Sequence, residues 1–168
     1  TTALAHGIRS VKPVDSLEAA MALRKTGYIG AAEREGQKID GFELGNSPFS
    51  YMNPDLEGKN IALTTTNGTE AMVRAVGANH ILIGSFLNHH SVVSYLRKLP
   101  YDIIILCAGW KGKINMEDTL FAGAVVEALQ DEFDFESDAA KVAFEIYKSA
   151  KHNLTGFLEG CSHIELSL

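Results

Sequence analysis

Hydroxyl, amide and glycine residues crowd one short stretch of the chain, which reads Thr-Thr-Thr-Asn-Gly-Thr from Thr64 to Thr69. Hydroxyl groups, a flexible glycine and backbone N–H groups at the start of a helix suit the binding of a phosphate or another oxyanion. The alternative is a strand that ends in an Asn-Gly turn, with Thr69 as the cap of the next helix. The candidate ligands of an oxyanion are Thr65, Thr66, Asn67, Gly68 and Thr69.

Two adjacent carboxylates, Glu117 and Asp118, open a predicted helix after the glycine-containing loop at residues 108–113. Carboxylates are common in the first turn of a helix simply because they stabilise the positive end of its dipole. They are also the ligands that Mg²⁺ accepts, usually one or two per site. We therefore predict that Glu117 and Asp118 bind Mg²⁺, and helix capping is the alternative.

Charged and imidazole groups offer two further candidates. Arg34 could clamp a sulfonate, carboxylate or phosphate, because its guanidinium matches such anions with two hydrogen bonds. The alternative for Glu33-Arg34 is a solvated charge pair, which would contribute little. His89 and His90 are adjacent on a predicted helix, so their side chains point about 100° apart and are poor joint ligands. The chain has neither HxxxH nor HExxH, so zinc is not expected.

Three phosphoryl-transfer signatures fail. A cysteine phosphatase needs an arginine six residues after its thiolate nucleophile, but Lys113 stands six residues after Cys107. The phosphate-binding loop GxxxxGK(S/T) is absent, and so is a strand end of the DxDx(T/V) type. The sequence therefore does not identify a protein nucleophile.

The composition is that of one globular domain, which we predict to cover residues 1–168, with 46% hydrophobic and 21% charged residues. A formal net charge of −6 gives no general attraction for nucleic acid or anionic lipid, so we expect neither as a partner. An anionic substrate would need a local pocket of donors or a metal. Two cysteines without CxxC spacing, and no apolar run of membrane length, favour a reducing cytoplasm.

These candidate residues need a scaffold, and strands alternate with helices along most of the chain. A short strand is expected within residues 8–14, and 30–47 is expected to be a long loop with room for one short strand. Residues 103–106 (Ile-Ile-Ile-Leu) are expected to be buried on both faces. The main predicted strands are 61–65, 80–84 and 101–107, and the helices are 16–26, 88–98, 117–130 and 138–150.

This alternation predicts an α/β fold with a mainly parallel sheet and flanking helices. Ligands of such sheets bind where the carboxyl ends of strands meet the starts of helices. Three polar segments fall there: 64–69, 84–88 and 108–118.

The first residues, Thr1 to Gly7, are typical of the tail of a helix that a glycine stops. The chain begins without methionine and ends as abruptly. We expect elements to be missing at both ends. The resulting edge strand and apolar surface favour self-association, for which we expect a homodimer.

Taken in order, several motifs resemble one family, the 2-phosphosulfolactate phosphatases. The resemblance covers nearly the whole chain. Its motifs are Gly41-Phe42-Glu43-Leu44-Gly45-Asn46-Ser47-Pro48, Thr64-Thr65-Thr66-Asn67-Gly68-Thr69, Ile83-Gly84-Ser85-Phe86-Leu87-Asn88, Cys107-Ala108-Gly109, Glu117-Asp118-Thr119 and Ala122-Gly123.

The resemblance implies an α/β fold with its own topology and a Mg²⁺-dependent hydrolysis of 2-phosphosulfolactate to sulfolactate and phosphate. In some archaea this reaction serves coenzyme M biosynthesis. The resemblance is also consistent with a homodimer. It implies catalytic roles for Glu117, Asp118 and Asn67, with Glu117 and Asp118 as metal ligands. The implied substrate-binding residues are Glu33, Arg34, Asn46, Ser47, Thr65, Thr66, Gly68, Thr69, Ser85, Asn88 and Gly109.

Two departures from the family pattern matter. Ala31-Ala32 stands where the family usually has Gly-Gly before the charged pair. The family also carries an Asp-Val-Leu-Arg-Ala segment just before the stretch that begins here, and a further acidic segment after it. The alternatives are a phosphatase for another small phosphorylated acid, a non-catalytic anion- or nucleotide-binding module, and an inactive fragment.

Overall fold

The computed structural model describes residues 1–161. These residues form two compact units, Thr1–Ile81 and the residues from Leu82 onward. The expected single domain over residues 1–168 stays a prediction, because compact units of this size also occur as subdivisions of one domain.

The first unit is a four-stranded sheet with helices. Its strand order is β1-β4-β2-β3, in which β1 and β2 both run parallel to β4, and β3 is antiparallel to β2. The predicted α/β class with a mainly parallel sheet is thus confirmed. The elements are α1 (Thr2–Ala5), β1 (Ser10–Pro13), α2 (Leu17–Arg24), β2 (Ile29–Arg34), β3 (Gln37–Lys38), β4 (Asn60–Thr64) and α3 (Gly68–Arg74), with 3₁₀ turns at Pro48–Met52 and Pro54–Leu56.

Local chemistry explains where α2 begins. Ser16 is its N-cap, and the Ser16 hydroxyl accepts a hydrogen bond from the Ala19 amide at 3.1 Å. The central strand β4 has neighbours on both sides. Its residues Ile61 and Ala62 are fully buried, as the apolar pattern of a parallel strand requires.

The loop expected over residues 30–47 has more strand structure than the one short strand allowed for it, because it begins with β2 and also contains β3. Ala31 and Ala32 are fully buried in β2, although alanine and glycine are poor strand formers. Small residues are needed here because the layers on β2 lie close. A Cβ atom on Gly30 would lie 2.5 Å from Arg24 Cδ and 2.8 Å from a Phe42 ring carbon. The tertiary packing, not the local propensity, makes this segment a strand.

The second unit is helical within residues 82–161. Its helices are α4 (His89–Leu96), α5 (Met116–Leu129), α6 (Asp138–Ala150) and α7 (Leu154–Leu158), with a 3₁₀ turn at Phe86–Asn88. Asn115 caps α5 through the Asp118 amide, and Ser137 caps α6 through the Ala140 amide. The predicted helices at 16–26, 88–98, 117–130 and 138–150 are confirmed, and α7 was not anticipated.

Helices α5 and α6 pack closely because Gly123 carries no side chain. A Cβ atom at Gly123 would lie 2.1 Å from the Ala143 carbonyl oxygen and 2.5 Å from Tyr147 Cβ. Val93 of α4 packs with Val125 and Leu129 of α5 in the core of this unit.

The strands predicted at 80–84 and 101–107 are wrong for the described part of the chain, where neither segment joins a sheet. Ile104 is 91% exposed, so the Ile-Ile-Ile-Leu run is not buried on both faces. A β-branched run supplies strand propensity, but a strand also needs a partner for its backbone hydrogen bonds. Among residues 1–161, no helix combines the length and apolar character needed to cross a membrane.

Candidate functional site

Strand register brings three groups of predicted site residues to one edge of the sheet in the first unit. Of the three segments predicted at the carboxyl ends of strands, only 64–69 lies there, because 84–88 and 108–118 follow no strand in residues 1–161. Ala32 of β2 lies opposite Thr64 of β4, and Ala31 is joined to Leu44 by a parallel bridge. The end of β2, the segment after Leu44 and the segment after β4 therefore lie side by side at this edge. The segments there are Glu33-Arg34, Asn46-Ser47 and Thr65-Thr66.

Arg34 is fixed at this edge by its own guanidinium. Nη2 donates to Thr64 Oγ1 at 3.1 Å, and Nη1 donates to the Glu33 carbonyl oxygen at 2.6 Å. Arg34 is thus attached to the first residue of the Thr-Asn-Gly stretch. The alternative of a solvated Glu33–Arg34 charge pair is wrong, because the Glu33 carboxylate is buried and accepts from the Gly36 amide.

The Thr64–Thr69 stretch closes on itself through two of its hydroxyl groups. Thr65 Oγ1 accepts from the Thr69 amide at 3.3 Å, and Thr69 Oγ1 donates to the Thr65 carbonyl oxygen at 2.5 Å. Thr69 is buried and is not the N-cap, since α3 begins at Gly68. Thr65 and Thr69 therefore shape the loop, and their roles as substrate ligands stay predictions.

Other side chains at the same edge remain open for a ligand. The side chains of Thr66 and Asn67 make no hydrogen bond to any residue in the range 1–161, and Thr66 is exposed. The same holds for Asn46 and Ser47, both exposed. With Arg34, these four residues supply hydroxyl, amide and guanidinium donors of the kind that bind oxyanions.

The Asn46-Ser47 segment is held by hydrogen bonds that the motifs themselves do not reveal. Tyr51 donates its hydroxyl to the Gly45 carbonyl oxygen at 2.6 Å, and burial raises the pKa of Tyr51 to about 12. Upstream, Glu43 accepts from the Gly30 amide at 2.9 Å and from Arg24 Nε at 3.1 Å. The residues in these hydrogen bonds are not related by any regular spacing in the sequence, so the bonds become visible only in the folded chain.

Glu43 makes the stability of the first unit depend on pH. Partial burial alone would raise its pKa, but hydrogen bonds from Arg24 and the Gly30 amide outweigh it, and the pKa is lowered from 4.5. The charged form therefore favours folding above pH 4.5, and this contribution disappears as the pH falls through the lowered folded-state pKa. We expect Glu43→Gln to lower the melting temperature at pH 7.

The control for this prediction is the same comparison in acid. At pH 3 the gap between the two melting temperatures should shrink, since the wild-type carboxylate is then increasingly protonated. Equal gaps at both pH values would contradict the role given to Glu43.

In the second unit, Asp118 holds the loop that precedes α5. Its Oδ2 accepts from the Gly109 amide at 2.7 Å, while the Asp118 amide donates to Asn115 Oδ1 at 3.0 Å. Gly109 is required, because a Cβ atom there would lie 2.7 Å from the Lys113 carbonyl oxygen. Gly109 and Asp118, which were predicted separately as site residues, are thus in direct contact through a hydrogen bond that orders the loop.

The loop after Gly109 is a tight hairpin. Trp110 and Lys113 exchange backbone hydrogen bonds of 3.0 and 2.9 Å, and both intervening residues have positive φ angles, 50° at Lys111 and 72° at Gly112. Lys111 Nζ lies 5.5 Å from the centroid of the Trp110 ring. The hairpin therefore places the Lys111 ammonium group over the Trp110 ring, in the loop that precedes α5.

Two further sequence candidates have mainly structural contacts. The Asn88 side chain accepts from the Ser85 amide at 2.7 Å and donates to the Ile83 carbonyl oxygen at 2.9 Å. Asn88 therefore builds the turn before α4.

Desolvation, reinforced by the charge of Asp118, raises the pKa of Cys107, which disfavours the thiolate that a cysteine nucleophile needs.

The acidic residues can be tested against a metal. Within residues 1–161, no group of three or more histidine, cysteine, aspartate and glutamate side chains could hold an ion. This donor set does not fit zinc or calcium, which take more protein ligands. It fits Mg²⁺, which keeps several waters and often uses only one or two carboxylates. Asp118 retains Oδ1 for such an ion, because only Oδ2 is bound to Gly109.

Comparison with known proteins identifies the family of this chain. The chain matches the 2-phosphosulpholactate phosphatase family over residues 1–166 and belongs to this family. The similarity is to phosphatases of small phosphorylated acids, and it runs through both units.

Several curated relatives are described as probable 2-phosphosulfolactate phosphatases. The relative from Caldanaerobacter subterraneus subsp. tengcongensis is 40% identical over 98% of this chain and 70% of its own length. The Thermotoga petrophila relative is 41% identical, over 96% of this chain and 70% of its own length. The Thermotoga maritima relative is 40% identical over 91% of this chain and 67% of its own length.

Proposed function

We propose that this protein hydrolyses a small anionic phosphomonoester, with 2-phosphosulfolactate as its substrate and sulfolactate and phosphate as products. The observation that carries the proposal is the placement of Arg34 on Thr64, at the sheet edge shared with Asn46, Ser47 and Asn67. Family membership supplies the reaction class.

The charge of the substrate explains why such an edge is needed. 2-Phosphosulfolactate carries a phosphate, a sulfonate and a carboxylate, while the protein has a formal net charge of −6. Local donors must therefore offset the repulsion between them. The Arg34 guanidinium binds an anionic oxygen with two N–H groups, and the neighbouring hydroxyl and amide groups orient it without adding charge.

The reaction is a hydrolysis of the phosphoester bond. A bond forms between a water oxygen and phosphorus, the bond from phosphorus to the substrate's 2-oxygen breaks, and that oxygen leaves as a hydroxyl after gaining a proton. Donors fixed before the reaction stabilise the developing negative charge without reorganising. Asn67, which lies in the loop after β4, is proposed to contribute such a donor.

Mg²⁺ is the proposed cofactor, with Glu117 and Asp118 as its protein ligands. When bound, it would supply positive charge to the phosphoryl oxygens. The support is the donor chemistry: two adjacent carboxylates at the start of α5, one with an oxygen left over from its bond to Gly109. The cytoplasmic location, the coenzyme M pathway and the lack of nucleic-acid binding remain predictions.

Phosphate release tests the proposed reaction. We expect Mg²⁺-dependent release from 2-phosphosulfolactate that EDTA abolishes, with the Thermotoga maritima relative assayed alongside as the reference. Phosphoglycolate and phosphoenolpyruvate distinguish another small phosphorylated acid as substrate. Phosphate binding measured by calorimetry without any turnover would instead support a non-catalytic anion-binding protein.

Substitutions of Arg34 test its proposed role in binding the substrate. Arg34→Ala should raise the KM about 10- to 100-fold, because hydrogen bonds to charged groups are worth about 1.5–3 kcal/mol. Arg34→Lys should recover only part of this loss, since a lysine keeps the charge but not the two-pronged geometry. A KM unchanged in both variants would contradict the role of Arg34 in substrate binding.

Self-association is a second proposal, supported by apolar side chains exposed in the second unit. Ile104 is 91% exposed and Ile114 88%, and Leu106 is half exposed. Exposed apolar surface of this kind favours association with another chain. We expect a dimer in sedimentation velocity, and Ile104→Lys should shift it toward monomer. A clean monomer for the unchanged protein at high concentration would exclude this proposal.

A further inference from the structure

Glu33 is a buried carboxylate beside a proposed anion site. Its side chain is only 6% exposed, although the hairpin around it is polar and exposed. A buried carboxylate is costly unless hydrogen bonds compensate it. Glu33 Oε1 finds that compensation at the Gly36 amide, 2.5 Å away. The Glu33 carboxylate is therefore bound directly to the turn.

The turn that Glu33 braces has an unfavourable backbone. Arg34 of β2 lies opposite Gln37 of β3, which leaves Glu35 and Gly36 as a two-residue connection. Both have positive φ angles, 56° and 84°. Such a turn suits a hairpin, but a glutamate in this conformation is strained. The bond from the Gly36 amide to a charged acceptor is stronger than a neutral one and offsets this strain.

The same hairpin determines where Arg34 lies. Arg34 Nη1 donates to the Glu33 carbonyl oxygen at 2.6 Å, and Nη2 donates to Thr64 at 3.1 Å. A change in the backbone at Glu33 would move the acceptor that orients the guanidinium. A carboxylate directed toward the substrate would also repel it, and the Gly36 bond keeps the Glu33 carboxylate engaged in the turn.

We propose that Glu33 is a positioning residue that acts through Arg34. Its carboxylate holds the β2–β3 turn, the turn holds the Glu33 carbonyl, and the carbonyl holds the guanidinium against Thr64. This inference rests on the proposed function, because it assumes that Arg34 binds an anionic group of the substrate. It replaces the predicted role of Glu33 as a direct substrate ligand.

Two conservative variants separate positioning from charge. Glu33→Gln loses the charge but keeps an oxygen that reaches the Gly36 amide. Glu33→Asp keeps the charge, but its shorter side chain cannot reach. We expect the KM for 2-phosphosulfolactate, and the Kd for inorganic phosphate, to change less than about threefold in the Gln variant and to rise about tenfold in the Asp variant, with kcat nearly constant in both. Glu35→Gln, an exposed change of equal charge in the same turn, is the control and should behave like the wild type.

A double-mutant cycle tests whether Glu33 acts through Arg34. Adding Glu33→Asp to Arg34→Ala should cause no further rise in KM, since the guanidinium that it positions is already gone. Additive effects, or loss of binding in the Gln variant with normal binding in the Asp variant, would overturn the inference while leaving the proposed function intact. Unchanged binding in Arg34→Ala would overturn the proposed function itself.

Discussion

Asp118→Asn is expected to lower kcat by about 10²-fold or more and to raise the Mg²⁺ concentration needed for half-maximal activity. The amide oxygen of asparagine can still accept from the Gly109 amide, so the loop before α5 should keep its shape. What the substitution removes is the charge that the proposed metal requires. The expected signature is therefore a large kinetic loss with a melting temperature close to that of the wild type.

Asp118→Ala provides the contrast, because it removes the metal ligand and the Gly109 bond together. We expect a similar loss of kcat and, in addition, a loss of about 1–3 kcal/mol in stability from the unsatisfied Gly109 amide. Mg²⁺ titration by calorimetry gives a readout that does not depend on turnover. Normal Mg²⁺ affinity and turnover in Asp118→Asn, with a stability loss only in Asp118→Ala, would leave Asp118 as a purely structural residue.

Gly123→Ala is expected to destabilise the second unit by about 1–3 kcal/mol, as overpacking typically does. The added methyl group would lie 2.1 Å from the Ala143 carbonyl oxygen, which belongs to the backbone of α6 and cannot turn aside. The two helices must then separate, and contacts along their shared face are lost.

The sign of this effect makes the prediction sharp. Replacing a glycine by alanine within a free helix stabilises it by roughly 0.5–1 kcal/mol, because alanine has the higher helix propensity. Gly123 lies well inside α5, so propensity and packing oppose each other there. Chemical denaturation followed by circular dichroism measures the balance. A gain in stability would show that α5 and α6 are not packed as closely as described.

Sequence patterns located the helices well because their ends carry specific chemistry. Ser16, Asn115 and Ser137 each accept a backbone hydrogen bond as N-cap, and such residues are readable at the level of the sequence. Strands were harder. The small residues of β2 give no β-propensity signal, whereas the Ile-rich residues 103–106 have the signal and pair with no strand of the described chain.

The location of the candidate site could be predicted from the sequence, but the hydrogen bonds that hold its residues could not. The rule that ligands bind at the carboxyl ends of parallel strands indicated Thr64–Thr69, and the register adds Arg34 and Asn46 to that edge. The hydrogen bonds that hold these residues, such as Tyr51 to Gly45, join positions with no sequence pattern between them. The inward turn of the Glu33 carboxylate likewise follows from the hairpin geometry alone.

The pairing of β1 with β4 has a consequence for how the chain folds. Ser10 donates to Asn60 across 50 positions of sequence, and within residues 1–161 β1 pairs with no strand nearer in the chain. Closing so long a loop costs conformational entropy before any contact repays it, which slows the formation of parallel sheets. The α5–α6 hairpin needs only neighbouring residues and can form within microseconds. We therefore expect the edge that holds Arg34 and Thr64 to become organised late, because it exists only after β2 and β4 have found their common register.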